Sequence, residues 1–120
     1  MARILCVDDE PHVTTLYAAI IEAAGHTVFV SLSARDAVEK LQNNTYDGVI
    51  TGWNLGDAKG AVVIEAGKRK RIPVIVISGY VHEARKLADP PADLYLEKPV
   101  NPEEMVTALN RLLLGLSPLA

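Results

Sequence analysis

A single cysteine, a single tryptophan and a single phenylalanine stand among the 120 residues. With Cys6 alone, no internal disulfide can form, and nothing in the chain calls for an oxidising compartment. Cys6 sits in the apolar run Ile4-Leu5-Cys6-Val7 and reads as an inert core thiol. Long hydrophobic runs are missing as well. None approaches the roughly 18 residues that cross a bilayer, and no N-terminal stretch has the charged start and apolar core of a signal peptide. The expectation is a cytoplasmic protein without a membrane partner. Excess positive charge is also absent. The formal net charge is −3, so nucleic-acid binding by the domain as a whole is not expected. The one dense basic run, Lys68-Arg69-Lys70-Arg71, reads as the solvated end of a helix, where cations complement the negative C-terminus.

The hydrophobic share of 49% over 120 residues suits one compact domain across 1–120. No repeat, low-complexity tract or internal linker interrupts it, and Gly115–Ala120 reads as a free end or the start of a linker. Short β-branched runs alternate with segments of helical period, which is the pattern of β-α units on a parallel sheet. The strands are expected at Arg3–Val7, Thr27–Val30, Gly48–Thr51, Pro73–Ser78 and Asp93–Leu96. Continuous apolar runs such as Val74-Ile75-Val76-Ile77 suit strands covered on both faces.

Five helices fill the intervals. The first starts at Pro11, buries a stripe of Val13, Leu16, Ile20 and Ala23, and stops at Gly25. Ser33 caps the second, with Ala34, Val38 and Leu41 inward. The third runs from about Gly60 to Lys70 with Val63, Ile64 and Ala66 apolar. A short fourth holds Val81, Ala84 and Leu87, and Pro90-Pro91 closes it. Asn101, Pro102 and Glu104 open the last like a capping box, and Met105, Leu109, Leu112 and Leu116 form its buried face. With right-handed crossovers, this (βα)5 pattern predicts a doubly wound α/β sheet in flavodoxin-like order 2-1-3-4-5, helices on both sides. A ligand site then lies at the carboxyl ends of the strands. Asp8, Asp9, Gly52, Ser78 and Lys98 all fall at or just past such ends.

Four stretches carry a resemblance: Ile4-Leu5-Cys6-Val7-Asp8-Asp9-Glu10, Tyr46 to Gly60, Val74-Ile75-Val76-Ile77-Ser78-Gly79, and Tyr95-Leu96-Glu97-Lys98-Pro99. In that order and spacing the chain resembles the receiver domain of bacterial two-component response regulators, over nearly its whole length. In that family an aspartate ending the third strand takes a phosphoryl group, with Mg²⁺ bridging an acidic cluster. The resemblance implies Asp8 and Asp9 as the acidic pair, with Asp9 the direct metal ligand and Asn54 offering its backbone carbonyl. It implies Ser78 as the phosphate-sensing hydroxyl, Lys98 as the phosphate-binding lysine and Tyr95 as the aromatic that turns with the switch.

The acceptor itself is missing. Gly60 matches the family glycine eight residues after the acceptor, which places the acceptor at Gly52, a residue with no nucleophile. Gly56 stands where the family has proline and is expected to loosen the loop carrying Asn54. Gly79 adds freedom beside Ser78, and the double proline reshapes the end of the fourth helix. With one carboxylate gone, Lys98 is expected to pair with Asp9 or Asp8 and Mg²⁺ affinity to fall. The leading expectation is a pseudo-receiver: a binding module rather than an enzyme. It would meet a histidine kinase, an output domain or a second copy through the fourth helix, fifth strand and fifth helix. Val81, His82, Arg85, Tyr95 and Glu97 are its candidate contacts. The alternative is a working phosphorelay acceptor, using Asp57 or with Gly52 an introduced change. Thr51 should point away from the pocket, because side chains alternate along a strand. A small-molecule site beside Trp53, as for flavins in similar folds, is a third reading. It is opposed by Asp8-Asp9-Glu10 where a phosphate loop would be needed.

Overall fold

The computed structural model describes residues 1–118, so Leu119 and Ala120 at the end of the expected tail lie outside the described residues. Strands β1 (Arg3–Val7), β2 (Thr27–Ser31), β3 (Gly48–Thr51), β4 (Val74–Ser78) and β5 (Leu94–Glu97) alternate with helices α1 (Pro11–Ala23), α2 (Ala34–Asn43), α3 (Ala61–Arg69), α4 (Val81–Leu87) and α5 (Pro102–Leu113). The strands form one five-stranded sheet in the order β2-β1-β3-β4-β5, and every pairing is parallel. The flavodoxin-like order read from the sequence is the order observed.

Period-two alternation splits the sheet's side chains between two cores. Leu5, Val7, Val49, Val74 and Val76 face α2, α3 and α4, where Ala37, Leu41, Val63, Ile64 and Ala84 meet them. Ile4, Cys6, Ile50, Ile75 and Ile77 face the other way, onto Tyr17 and Ile21 of α1 and Met105 and Leu109 of α5. The three central strands β1, β3 and β4 are therefore apolar on both faces, which explains the unbroken hydrophobic runs.

The caps form where the sequence places them. The Ser33 hydroxyl accepts from the Asp36 N–H at 3.0 Å, and the Asn101 side-chain carbonyl accepts from the Glu104 N–H at 3.0 Å. Strand β4 starts at Val74 rather than Pro73, because proline brings no N–H to the ladder; its carbonyl still accepts from the Val49 N–H at 3.0 Å.

Three buried stripes need correction. In α1 the buried residues are Thr14, Tyr17 and Ile21, while Leu16 is 57% exposed and Ala23 is exposed. This helix carries apolar residues on more than one face, so periodicity alone does not fix its phase; the inward Thr14 satisfies its hydroxyl by donating to the Pro11 carbonyl at 2.9 Å. Leu87 is exposed because α4 ends there, on its outer side. Leu116 is exposed because the chain leaves α5 at Leu113 and turns at Gly115, whose φ is +77°.

Candidate functional site

A cleft opens at the carboxyl ends of β1, β3 and β4 and beyond β5, lined by Asp8, Asp9, Gly52, Asn54, Ser78 and Lys98 among others. Five of the sequence-predicted residues thus meet at one place with position 52, as strand ends on a doubly wound sheet must.

Asp8 lies deepest and is only 2% exposed. Its Oδ1 accepts from the Glu10 N–H at 3.0 Å, and its Oδ2 faces the Lys98 ammonium at 3.3 Å. Lys98 therefore pairs with Asp8, one of the two partners expected. A buried carboxylate needs such a cation, because isolated charge is costly out of water. Behind Asp8, burial pushes the Tyr17 hydroxyl up to about 12, with the charge of Asp8 adding to the effect. Burial likewise pushes the Cys6 thiol up to about 12, which keeps it protonated and unreactive.

Gly52 continues the ladder, donating its N–H to the Val7 carbonyl at 2.9 Å. A Cβ built there would lie 3.1 Å from Asp8 Oδ2 and 3.4 Å from Leu55 Cδ2. The Asp8 carboxylate thus leans into the place an acceptor side chain would start from. Gly60 has a different reason to be glycine. A Cβ there would run into the Gly52 carbonyl oxygen, and the Gly60 N–H donates to the Trp53 carbonyl at 2.6 Å.

Asp9 and Glu10 are exposed, and one carboxylate oxygen from each can come within 4.8 Å of one from Asp8. This donor set fits a hydrated divalent ion in part. Mg²⁺ takes one or two carboxylates and keeps waters, but Asp8 already has a cation and residue 52 offers no oxygen. Glu10 also faces His12 at 3.3 Å.

The loop carrying Asn54 is held rather than loosened. Gly56 supplies a φ of +83°, which proline cannot adopt, and the Leu55 N–H donates to the Ala58 carbonyl at 3.1 Å across the turn. The Lys59 ammonium grips the Asn54 side-chain oxygen. Ser78 is buried, and its hydroxyl accepts from the Tyr80 N–H at 2.9 Å. Tyr95 is half-buried, its hydroxyl accepting from the Ala92 N–H at 2.9 Å while the Arg85 guanidinium sits 5.6 Å from its ring centre.

Asp57 is not in the cleft. Its two oxygens accept from the Ala34 and Arg35 N–H groups, each at 2.9 Å, at the start of α2. Those bonds hold its carboxyl below the usual range. This removes the expected substitute acceptor, because a carboxylate spent on a helix terminus does not face the pocket. Among the candidate contacts, Val81 is buried, while His82, Arg85 and Glu97 are exposed; Tyr80, at 61% exposure, joins them. Sequence reasoning also missed Glu83, whose Oε2 accepts from the Trp53 indole N–H at 2.6 Å. No spacing rule links residues on a loop and a helix thirty positions apart.

A family model for the response regulator receiver domain matches residues 4–110. This chain belongs to that family. Among curated relatives, the transcriptional regulatory protein TcrA of Mycobacterium tuberculosis is 35% identical over 114 residues, which cover 92% of this chain and 45% of TcrA. The gliding motility regulatory protein of Myxococcus xanthus is 33% identical over 117 residues, 92% of this chain and 15% of that protein. The chain thus spans less than half the length of these two relatives. Among solved structures, a CheY-like receiver from Methanospirillum hungatei superposes with a TM-score of 0.87 at 26% identity, covering 96% of this chain and 95% of that one. TrrA of Thermotoga maritima, solved in complex with Mg²⁺ and BeF, gives 0.85 at 29% identity over 93% and 99% of the two chains. Response regulator receivers exchange signals with histidine kinases and output domains. No helix among the described residues of this receiver is long and apolar enough to cross a membrane.

Proposed function

We propose that this receiver works without phosphorylation, as a protein-binding pseudo-receiver spanning 1–120 in the cytoplasm. One observation carries the reading: Gly52, the residue after β3, stands where an acceptor carboxylate is required, and the Asp8 carboxylate, paired with Lys98, leans into the space such a side chain would enter. Phosphoryl transfer to a carboxylate needs a nucleophilic oxygen held in line. No covalent step is assigned here, and Mg²⁺ is a weak ligand at most. The signal passes through the surface of α4, β5 and α5, where Tyr80, His82, Arg85 and Glu97 are exposed and Tyr95 half-buried. Its partner is a signalling protein: a histidine kinase, an output domain or a second copy.

Incubation with a small-molecule phosphodonor, followed by intact mass measurement, tests this. The expected result is no phosphoryl adduct on the unaltered chain and an adduct on Gly52→Asp in the presence of Mg²⁺. An adduct on the unaltered chain would overturn the reading. Titration with Mg²⁺, followed through Trp53 emission, should show no saturation in the sub-millimolar range.

A further inference from the structure

Helix α4 has seven residues and no side-chain cap, too short for propensity to hold it in place. Beyond the packing of Val81 and Ala84, it is held from the loop after β3. Trp53 is 1% exposed, packed in the core on the α2–α4 side of the sheet. Its indole N–H still reaches out to Glu83, in the first turn of α4, at 2.6 Å. The Lys59 ammonium lies 3.5 Å from the same Glu83 oxygen and also grips Asn54 on the lip of the cleft. A buried indole N–H must find an acceptor, and a charged acceptor makes the stronger bond. The middle of the same loop is tied to α2 through Asp57.

We propose that Glu83 is the positioning residue of α4: the Trp53–Glu83 bond, steadied by Lys59, transmits the state of the cleft loop to the output helix. The inference rests on the proposed function only in giving α4 an output role. A partner that pulls Asn54 or Lys59 releases Glu83 from one of its two donors and frees the first turn of α4. Coupling therefore runs from the residue after Gly52, through an indole and a carboxylate, without any phosphoryl group. Such a path needs a coupling test, not proximity alone.

The test compares Glu83→Ala, Glu83→Gln and Trp53→Phe by amide hydrogen exchange over 81–87, with the amides of β1 and β3 as a folding control. In Glu83→Ala the α4 amides should exchange about tenfold faster while the strand amides stay unchanged. Trp53 emission should also shift as its N–H loses the carboxylate. Glu83→Gln keeps an acceptor for the indole and should lie within about threefold of the natural chain. Trp53→Phe should match Glu83→Ala, and the double variant should exceed neither. Unchanged α4 exchange in Glu83→Ala, or additive effects in the double variant, would sink the proposal. Glu83 is a surface residue, so its variants remain informative even if Trp53→Phe folds poorly. Phosphodonor uptake is read on the natural chain by mass, so failure of the pseudo-receiver reading and failure of this coupling give different results.

Discussion

A methyl group on residue 60 would strike the Gly52 carbonyl oxygen and crowd the Trp53 Cα at 3.2 Å. Both obstacles are backbone of β3 and its loop, which cannot swing aside as a flexible side chain can. Gly60→Ala should therefore destabilise the protein by about 2 kcal/mol or more, read as a lower urea midpoint. Gly79→Ala is the contrast, since nothing lies within 4 Å of its added carbon, and its midpoint should stay nearly unchanged. The family spacing from 52 to 60 thus has a steric cause, independent of whether the acceptor is present. The sequence displays that spacing plainly. It does not display which of Asp8 and Asp9 is buried, because adjacent residues at a strand end diverge only once the loop folds.

Two carboxylates reinforce the start of helix α2 beside its Ser33 cap. Asp57 accepts from its first backbone N–H groups, and Asp36 pairs with Lys40 one turn on at 2.9 Å. Both carboxyls are held below their ordinary value, Asp36 chiefly by Lys40 and Asp57 by the Arg35 and Ala34 N–H groups. A lowered folded value means stability that is full above the unfolded value, near 3.8, and lost as pH falls through the folded one. The urea midpoint should drop as pH falls below about 3.8, and the drop should shrink in Asp57→Asn, which cannot titrate. Every helix and strand was legible in the sequence, because punctuation by proline, glycine and capping residues is local. The facing of α1 was not, since its Val, Leu, Ile, Ala and Tyr residues offer more than one apolar stripe and the sheet selects one. Asp57 and Glu83 were illegible for the same reason: each acts on another element, and tertiary contacts leave no period in the chain.

The core beneath α1 and α5 gives the whole molecule an alkaline weakness. Cys6 is raised from 9.0 to about 12, by burial first and then by Glu22. Tyr17 is raised from 10.0 to about 12 by burial, Asp8 and Cys6. Above their ordinary values the unfolded chain loses protons that the folded chain keeps, so the slope of stability with pH is negative there. The contribution is intact below pH 9.0 and is lost as pH climbs toward 12. Urea midpoints at about pH 8 and about pH 10.5 should differ, and Cys6→Ala should narrow the difference while lowering both values.

The bond between Asp8 and Lys98 joins positions 90 residues apart in the chain, and β3 and β4 lie between the two strands that bear them. The ammonium reaches the carboxylate only once the final strand has docked on its neighbour. Without it Asp8 is a buried carboxylate with no ammonium facing it. Docking of β5 thus completes the charge balance of the cleft, and a chain whose edge strand peels away reopens as an unbalanced anionic mouth.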